Sequence, residues 1–444
     1  MPASKGGRAT SRRGGRKATR AALPALLILA LAVSACQGGP ANVFKAKEPP
    51  KKPAKVTIAP DDHTKGFRPD HEVRVSVAHG TIKHVRVDPV GKDTDERGAV
   101  AGSYASRRTA WRSDAPLVPD TRYKIKVVAL GENGKKATEH SSFRTLKPDE
   151  TLGTSIAPLD GEQVGVGMPI VVIFTEDVAD KAKVERHLKL RMSEDVPGAW
   201  HWIDDDEVHF RPRHYWPAGE HVALHVNLTG VKGGKGLWGD HDRRVSFDVG
   251  DRHMTVVNTD THTMRVKKNG HVVRNVPVST GRPEYATYSG TYVAVQKAYK
   301  TVMTSDSVGI SPDAPGGYRE TVYWNVRISW SGEFVHSAPW SVGSQGSANV
   351  SHGCVNASPA NAEWFYHFTQ RGDVIKVVGS PKELQWQNGW TDWMMGWHEW
   401  VKGSALDRVV NAPSPAPTAT ATGTATVTPT SAASSSATSA SSAS

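Results

Sequence analysis

Ser351-His352-Gly353-Cys354-Val355-Asn356, with His336 fourteen intervening residues upstream, sets a thiol among histidines and turn-forming residues. Cys354 is one of two cysteines in the chain, and the other, Cys36, belongs to an export signal described below. An exported chain with one remaining thiol cannot close an internal disulfide, so the thiol needs another use. Free cysteines do serve as small buried hydrophobes. His-Gly-Cys flanked by Ser and Asn is instead polar and turn-like. Cys354 is therefore the expected nucleophile. Gly353 permits close approach of a substrate, and His336 and His352 are near enough in sequence to serve as bases.

Further motifs stand in order around this stretch: Ser279-Thr280-Gly281 with Pro283, Ser289-Gly290-Thr291-Tyr292, and Gly316-Gly317-Tyr318 ahead of His336. The ordered set resembles the signature of the L,D-transpeptidases with a YkuD-type catalytic domain, over about residues 251 to 378. A thiol near its free pKa is only partly ionised at neutral pH and needs an adjacent base. The resemblance implies that His336 is that base, held by the backbone carbonyl of Ser337. It makes His352 a pocket-lining residue and adds the Tyr318 hydroxyl to the oxyanion donors. It marks Ser331, Gly332 and Asn356 as substrate contacts, and Trp340 is expected to wall the same cleft. Backbone N–H groups of the Gly353-Cys354 turn are the other candidate oxyanion donors.

The implied reaction begins with attack of Cys354 on the third-residue carbonyl of a peptidoglycan tetrapeptide stem. D-alanine leaves, protonated by His336, and a thioester remains. The side-chain amine of a neighbouring stem's diamino acid then gives a 3→3 cross-link; water in its place would make a carboxypeptidase. The expected partners are stem peptides and, as covalent inhibitors, carbapenem-type β-lactams. No cofactor and no metal is expected.

The net charge of +11 points at first to nucleic acid. Residues 1–35 hold seven basic side chains and no acid, so removing that segment leaves +4 and the argument for nucleic acid fails. The basic residues are followed by an apolar run from Ala21 to Val33, too short to span a bilayer and suited to a signal-peptide core. It ends in Val33-Ser34-Ala35-Cys36, which looks like a bacterial lipobox. By that resemblance Cys36 is the lipidation site. The protein is then anchored to the outer face of the cytoplasmic membrane, facing the cell wall. Arg12-Arg13 is a weak pointer to twin-arginine export, because Gly14-Gly15 stands where apolar residues are usual.

The chain is expected to be mainly β. Residues 1–35 form the signal peptide and 36–55 a tether rich in Gly, Pro and Lys. Val73, Val75 and Val77 alternate in one module (56–148), as do Tyr123, Ile125 and Val127. Val222, Leu224, Val226 and Leu228 do so in a second (149–250). Such strands with turn clusters between them predict two immunoglobulin-like β-sandwiches. Lys232-Gly233-Gly234-Lys235-Gly236 lacks the spacing of a phosphate cradle and is expected to be a hairpin loop.

The β-rich catalytic domain (251–378) follows. Its segment between Lys297 and Tyr318 is too irregular for one strand and is expected to be a lid. Cys354 is expected in a strand-to-helix loop, with Ser358-Pro359 starting a helix that reaches Gln370. In a Trp-rich C-terminal subdomain (379–408), Ser380-Pro381-Lys382-Glu383 reads as a helix start. Trp386, Trp390, Trp393, Trp397 and Trp400 then fall at steps of 4, 3, 4 and 3, placing them on one helical face. That stripe is expected to dock on the catalytic domain, with a carbohydrate platform as the alternative. The Ala/Thr/Ser/Pro tail (409–444) cannot form a core and is expected to be disordered.

Three other uses of the cysteine and histidines compete. A thiol endopeptidase of the NlpC kind has its cysteine ahead of its histidine, the reverse of the order here. A sortase would want an arginine soon after the cysteine, and none occurs before Arg371. A zinc site of His336, His352 and Cys354 would lock up the thiolate. From another class, a non-catalytic cell-wall-binding module remains open.

Overall fold

In the computed structural model, alternation along the chain becomes layered sheets. The structure describes residues 50–91, 98–315 and 317–411, without the side chains of Ser307 and Val308. The signal peptide, Cys36 and the rest of the tether up to residue 49, residues 92–97, Gly316 and the tail from residue 412 lie outside the described residues. No helix among the described residues is long and apolar enough to cross a membrane. The described residues from Lys51 to Asn411 belong to one compact unit.

The first sandwich sets a sheet in the order Lys55–Ala59, Arg74–Ala78, Ala110–Ser113, Gly102–Tyr104 against another in the order Thr64–Phe67, Lys136–Thr145, Arg122–Gly131, Gly80–Val90. Val73, Val75 and Val77 meet Trp111, Tyr123, Ile125, Val127 and Phe143 in its core. The period of two delivers this, since alternate side chains point to one face of a strand. The second sandwich pairs Thr154–Ala157, Ile170–Phe174, Glu207–Pro212 and Gly198–Trp202 with Glu162–Val164, Arg243–Val249, His221–Val226 and Leu188–Met192. The Gly-rich stretch at 232–236 is a turn feeding the short strand Leu237–Trp238.

The catalytic domain has a five-stranded sheet, ordered His271–Pro277, Thr263–Lys268, His253–Asn258, Val374–Val378, Gly290–Val293. A four-stranded sheet follows in the order Gln296–Thr304, Arg319–Arg327, Phe334–Ser337, Val355–Ala357. Three expectations need correction. The segment after Lys297 is not irregular from its start: Gln296–Thr304 is a regular strand in a hairpin with Arg319–Arg327, and only residues 305–318 leave it. A short strand, Val355–Ala357, separates Cys354 from the helix Pro359–Phe368, which ends before Gln370.

The tryptophan stripe is not one helix. No helix begins at Ser380; a 3-10 turn at Asp392–Met394 and a short helix at Trp397–Lys402 carry three of the indoles. Gly389 explains the break, since its φ of +102° is one that L side chains rarely adopt. Nor does the stripe dock chiefly on the catalytic domain. Trp400 Nε1 donates to the Ala199 carbonyl at 2.9 Å and Trp393 Nε1 to that of Gly167 at 2.8 Å, both in the second sandwich. The Arg211 guanidinium lies 4.8, 5.4 and 4.6 Å from the rings of Trp393, Trp397 and Trp400. Leu384 meanwhile joins the catalytic core. The segment is a clasp across two domains.

The second sandwich and the catalytic domain also share a core, in which Val293, Val295 and Val374 pack with Val166, Met168 and Trp216. Backbone bonds Gly165 N to Arg371 O and Gly167 N to Gly372 O, both 2.8 Å, run across the same seam.

Candidate active site

Phe334–Ser337 and Val355–Ala357 pair in parallel, with His336 opposite Asn356. Side chains two apart share a face, so Cys354 is presented on the face that carries His336. Both line a cavity of about 300 Å³ together with Tyr318, Trp340, His352 and Asn356, and with Met303, Glu320, Val322 and Val350.

The turn holding Cys354 is braced from two sides. Ser351 Oγ accepts the Gly353 N–H at 3.2 Å and donates to the Cys354 carbonyl at 2.7 Å. Thr287 Oγ1 donates to the Gly353 carbonyl at 2.7 Å while accepting the Gly281 N–H at 2.9 Å. The Ser279-Thr280-Gly281 motif is thus a brace, tied on through Thr280, whose N–H and hydroxyl both donate to Asn349 Oδ1. Gly353 has φ +119°, and a Cβ there would make only ordinary van der Waals contacts, at 3.8 Å to Glu333 and Tyr285, so backbone conformation and not crowding demands the glycine.

Cys354 is half-buried, and its thiol donates to the Gly332 carbonyl at 3.6 Å. Desolvation pushes its pKa up to about 12, against the pull of the Phe334 backbone N–H. His336 is 3% exposed and its Nδ1–H donates to the Ser337 carbonyl at 2.9 Å. A carbonyl only accepts, so the proton is on Nδ1 and Nε2 keeps its lone pair. Burial lowers the imidazole pKa to about 4, with Ser337 and Asn356 offsetting part of that. The resting pair is a neutral thiol and a neutral imidazole.

His352 is engaged differently. Its Nε2 accepts from Arg282 Nη2 at 2.8 Å, and its ring lies between Tyr285 and Tyr318 at 4.9 and 5.1 Å. Burial and then the Arg282 charge hold its pKa below the usual imidazole value. Its ring is a wall of the cavity whose lone pair is already taken.

The remaining sequence candidates divide. Tyr318, Trp340 and Asn356 line the cavity; Trp340 stands 6.1 Å from the His336 ring and Asn356 Nδ2 donates to Ser341 Oγ at 3.1 Å. Ser331 and Gly332 are not among the lining residues. Ser331 donates its hydroxyl to Glu333 and its N–H to Asn388 Oδ1 at 2.9 Å, fixing the loop whose Gly332 carbonyl meets the sulfur. The Gly353 N–H, taken by Ser351, is not a spare oxyanion donor. Sequence reasoning missed Arg282, Tyr285, Met303 and Glu320. Alternation could have found Glu320, since Tyr318, Glu320 and Val322 are two apart and line one wall; the others arrive from distant loops. Among the described residues, no group of three or more His, Cys, Asp or Glu could hold a metal ion.

Residues 252–378 match the family described as the L,D-transpeptidase catalytic domain, and residues 64–232 match the bacterial Ig domain family. The chain is 35% identical over 376 residues to L,D-transpeptidase 2 of Mycobacterium tuberculosis, covering 83% of this chain and 91% of the relative. With L,D-transpeptidase 5 of the same organism it shares 33% over 370 residues, 82% of this chain and 79% of the relative. A solved structure of that organism's L,D-transpeptidase 3, in complex with a faropenem-derived adduct, aligns over 52% of this chain and 98% of its own at 33% identity and a TM-score of 0.43.

Proposed function

The chain belongs to the L,D-transpeptidases, and we propose that it forms 3→3 peptidoglycan cross-links through a thioester on Cys354 with His336 as proton carrier. The observation that carries this is the fixed His336 tautomer: Nδ1–H is spent on Ser337, which leaves the Nε2 lone pair for the thiol proton on the Cys354 face. Because burial favours the neutral form of both groups at rest, the thiol has to pass its proton to Nε2 in the course of attack on the stem carbonyl.

The negative charge that develops on the carbonyl oxygen needs donors already in place. With the Gly353 N–H committed, the Cys354 N–H and the Tyr318 hydroxyl are the candidates at this turn. The imidazolium then returns its proton to the departing D-alanine amine, and the thioester remains. Neutral His336 next serves as base for the incoming diamino-acid amine. A strained β-lactam carbonyl, as in carbapenems, would trap the same sulfur. The lipobox-like Val33-Ser34-Ala35-Cys36 supports lipid attachment at Cys36, and with it a position outside the cytoplasmic membrane.

Incubation with a disaccharide-tetrapeptide tests the reaction. Mass spectrometry should find D-alanine loss, a thioester adduct and a cross-linked dimer, and Cys354→Ala should abolish all three while leaving the fold intact. Monomer that has lost D-alanine, with no dimer, would mark a carboxypeptidase instead. Near wild-type dimer formation by the variant would exclude Cys354 as nucleophile.

A further inference from the structure

Ser351 and Thr287 divide the three peptide planes of the catalytic turn between them. Ser351 Oγ accepts the Gly353 N–H at 3.2 Å and donates to the Cys354 carbonyl at 2.7 Å, so it holds the planes on either side of the Gly353–Cys354 bond. The middle plane is left to Thr287, whose Oγ1 donates to the Gly353 carbonyl at 2.7 Å. That hydroxyl has no second direction to turn. The Gly281 N–H, 2.9 Å away, can only donate, so it takes a lone pair of Oγ1 and leaves the hydroxyl proton for Gly353. Gly281 comes this close because it has no side chain: a Cβ there would lie 2.6 Å from Thr287 N and closer still to the Tyr285 carbonyl.

The middle plane matters because it carries the Cys354 N–H. That N–H has no hydrogen-bond partner among the described residues, whereas the Gly353 N–H is committed to Ser351. In a planar trans peptide the carbonyl and the N–H point in opposite directions, so whatever holds the Gly353 carbonyl also aims the Cys354 N–H. Gly353 offers little resistance to rotation of that plane, since a residue without Cβ adopts φ on either side of zero about equally well. Thr287 is 1% exposed and does not line the cavity that holds Cys354 and His336. It lines a separate cavity of about 430 Å³ with Gly281 and Asn349, so any effect it has on the reaction passes through the turn.

We infer that Thr287 is a positioning residue for the oxyanion site: its hydroxyl clamps the Gly353 carbonyl away from the cavity and so keeps the Cys354 N–H aimed at the substrate's carbonyl oxygen. This rests on the Cys354 thioester reading and deepens it at the acylation step. In that step the sulfur bonds to the carbonyl carbon, the π electron pair moves onto the oxygen, and the thiol proton passes to His336 Nε2. The charge on that oxygen is what the Cys354 N–H has to meet, and a donor of this kind is effective only when it is aimed beforehand. Without the clamp, the plane is free to present its carbonyl to the oxyanion in place of its N–H. Two negative oxygens would then face each other.

Two reactions of the same thiol separate aim from placement. A carbapenem acylates Cys354 through a tetrahedral oxyanion. Iodoacetamide alkylates it by direct displacement, in which the C–S bond forms as iodide leaves and no oxyanion arises. Both are followed on the intact protein by mass spectrometry of the Cys354 peptide, which keeps Cys36 out of the reading. Thr287→Val, of the same shape without the hydroxyl, should slow acylation by about 10²-fold, as for losing one oxyanion donor. It should leave alkylation within about threefold of wild type, and Thr287→Ser, which keeps the hydroxyl, should acylate within about the same margin. Should Thr287→Val not fold, Thr287→Ala carries the same expectations. Wild-type acylation in the variant, both reactions slowed alike, or Thr287→Ser as slow as Thr287→Val overturns the assignment. A wild type that is alkylated at Cys354 but forms no acyl adduct overturns the nucleophile reading, and this one with it.

Discussion

Two histidines sit near Cys354, and only their hydrogen bonds tell them apart. His336 spends Nδ1–H on a carbonyl, which leaves its Nε2 unprotonated, whereas His352 gives its Nε2 lone pair to Arg282. A positioned general base contributes about 10²–10⁴-fold in rate. His336→Gln should therefore slow acylation of Cys354 by about that factor, and His352→Gln should act more mildly and more on substrate recognition. The pH profile separates them further. With His336 titrating near 4 and Cys354 near 12, the pair stays neutral between those values, so wild-type acylation should be level through neutrality and fall only toward the acid limit. Stopped-flow acylation by a carbapenem across pH is the measurement. A profile in His336→Gln identical to wild type, with His352→Gln the more damaged, would mean that the other histidine is the base.

Among the elements, the C-terminal clasp is held by groups that titrate. His209 of the second sandwich donates to Asp392 Oδ1 at 2.7 Å and Glu207 Oε1 at 2.6 Å. Burial opposes its charge, but the two carboxylates outweigh that and raise its pKa to about 9. A histidine whose folded pKa lies above its unfolded value contributes stability that is complete below the unfolded pKa, about 6.5, and lost as pH rises through the folded one. The clasp should therefore loosen as pH climbs from about 6.5 through 9. His209→Gln should remove that dependence and cost up to about 3 kcal/mol by leaving Asp392 buried without its cation. Hydrogen exchange over Trp397–Lys402, followed against pH, reads this directly. Exchange that is unchanged between pH 6 and pH 9.5 would count against a charged His209. Trp400→Ala, which deletes a fully buried indole bonded to Ala199, should cost about 3–5 kcal/mol at any pH.

Across the whole molecule, the seams between domains differ in kind. The second sandwich and the catalytic domain share buried valines and backbone hydrogen bonds, while the first sandwich meets the second through contacts such as Lys183 to Asp70 at 3.2 Å. A chain starting at about residue 149 should fold and acylate at close to the full-length rate. One starting at about residue 251 should aggregate, because it exposes Val293, Val295 and Val374. Soluble yield and carbapenem acylation of the two truncations check this; a well-behaved, fully active shorter chain would show that the shared core is dispensable. At the other end, Cys36→Ser should leave acylation intact in vitro and release the protein from the membrane fraction of cells. Retention in that fraction would exclude Cys36 as the anchor.

The local order of the sequence was enough for the layered β architecture, because a period of two at Val73-Val75-Val77 or Val222-Leu224-Val226-Leu228 has one way to bury itself. It was enough to nominate Cys354 as the nucleophile, because a spare thiol in a turn beside histidines has few other uses. Motif resemblance supplied the Ser337 carbonyl. Local order failed where spacing imitated structure: five tryptophans at helical steps are a folded-back clasp, broken at Gly389 by a backbone angle that spacing does not encode. It also failed wherever a bond joins residues far apart in the chain. Arg282 reaches His352, Asn388 fixes Ser331, and Thr287 braces Gly353. Which histidine keeps a free lone pair, and how strongly burial displaces its pKa, depend on those distant partners and on desolvation. Both are properties of the packed molecule, so only the tertiary structure could decide them.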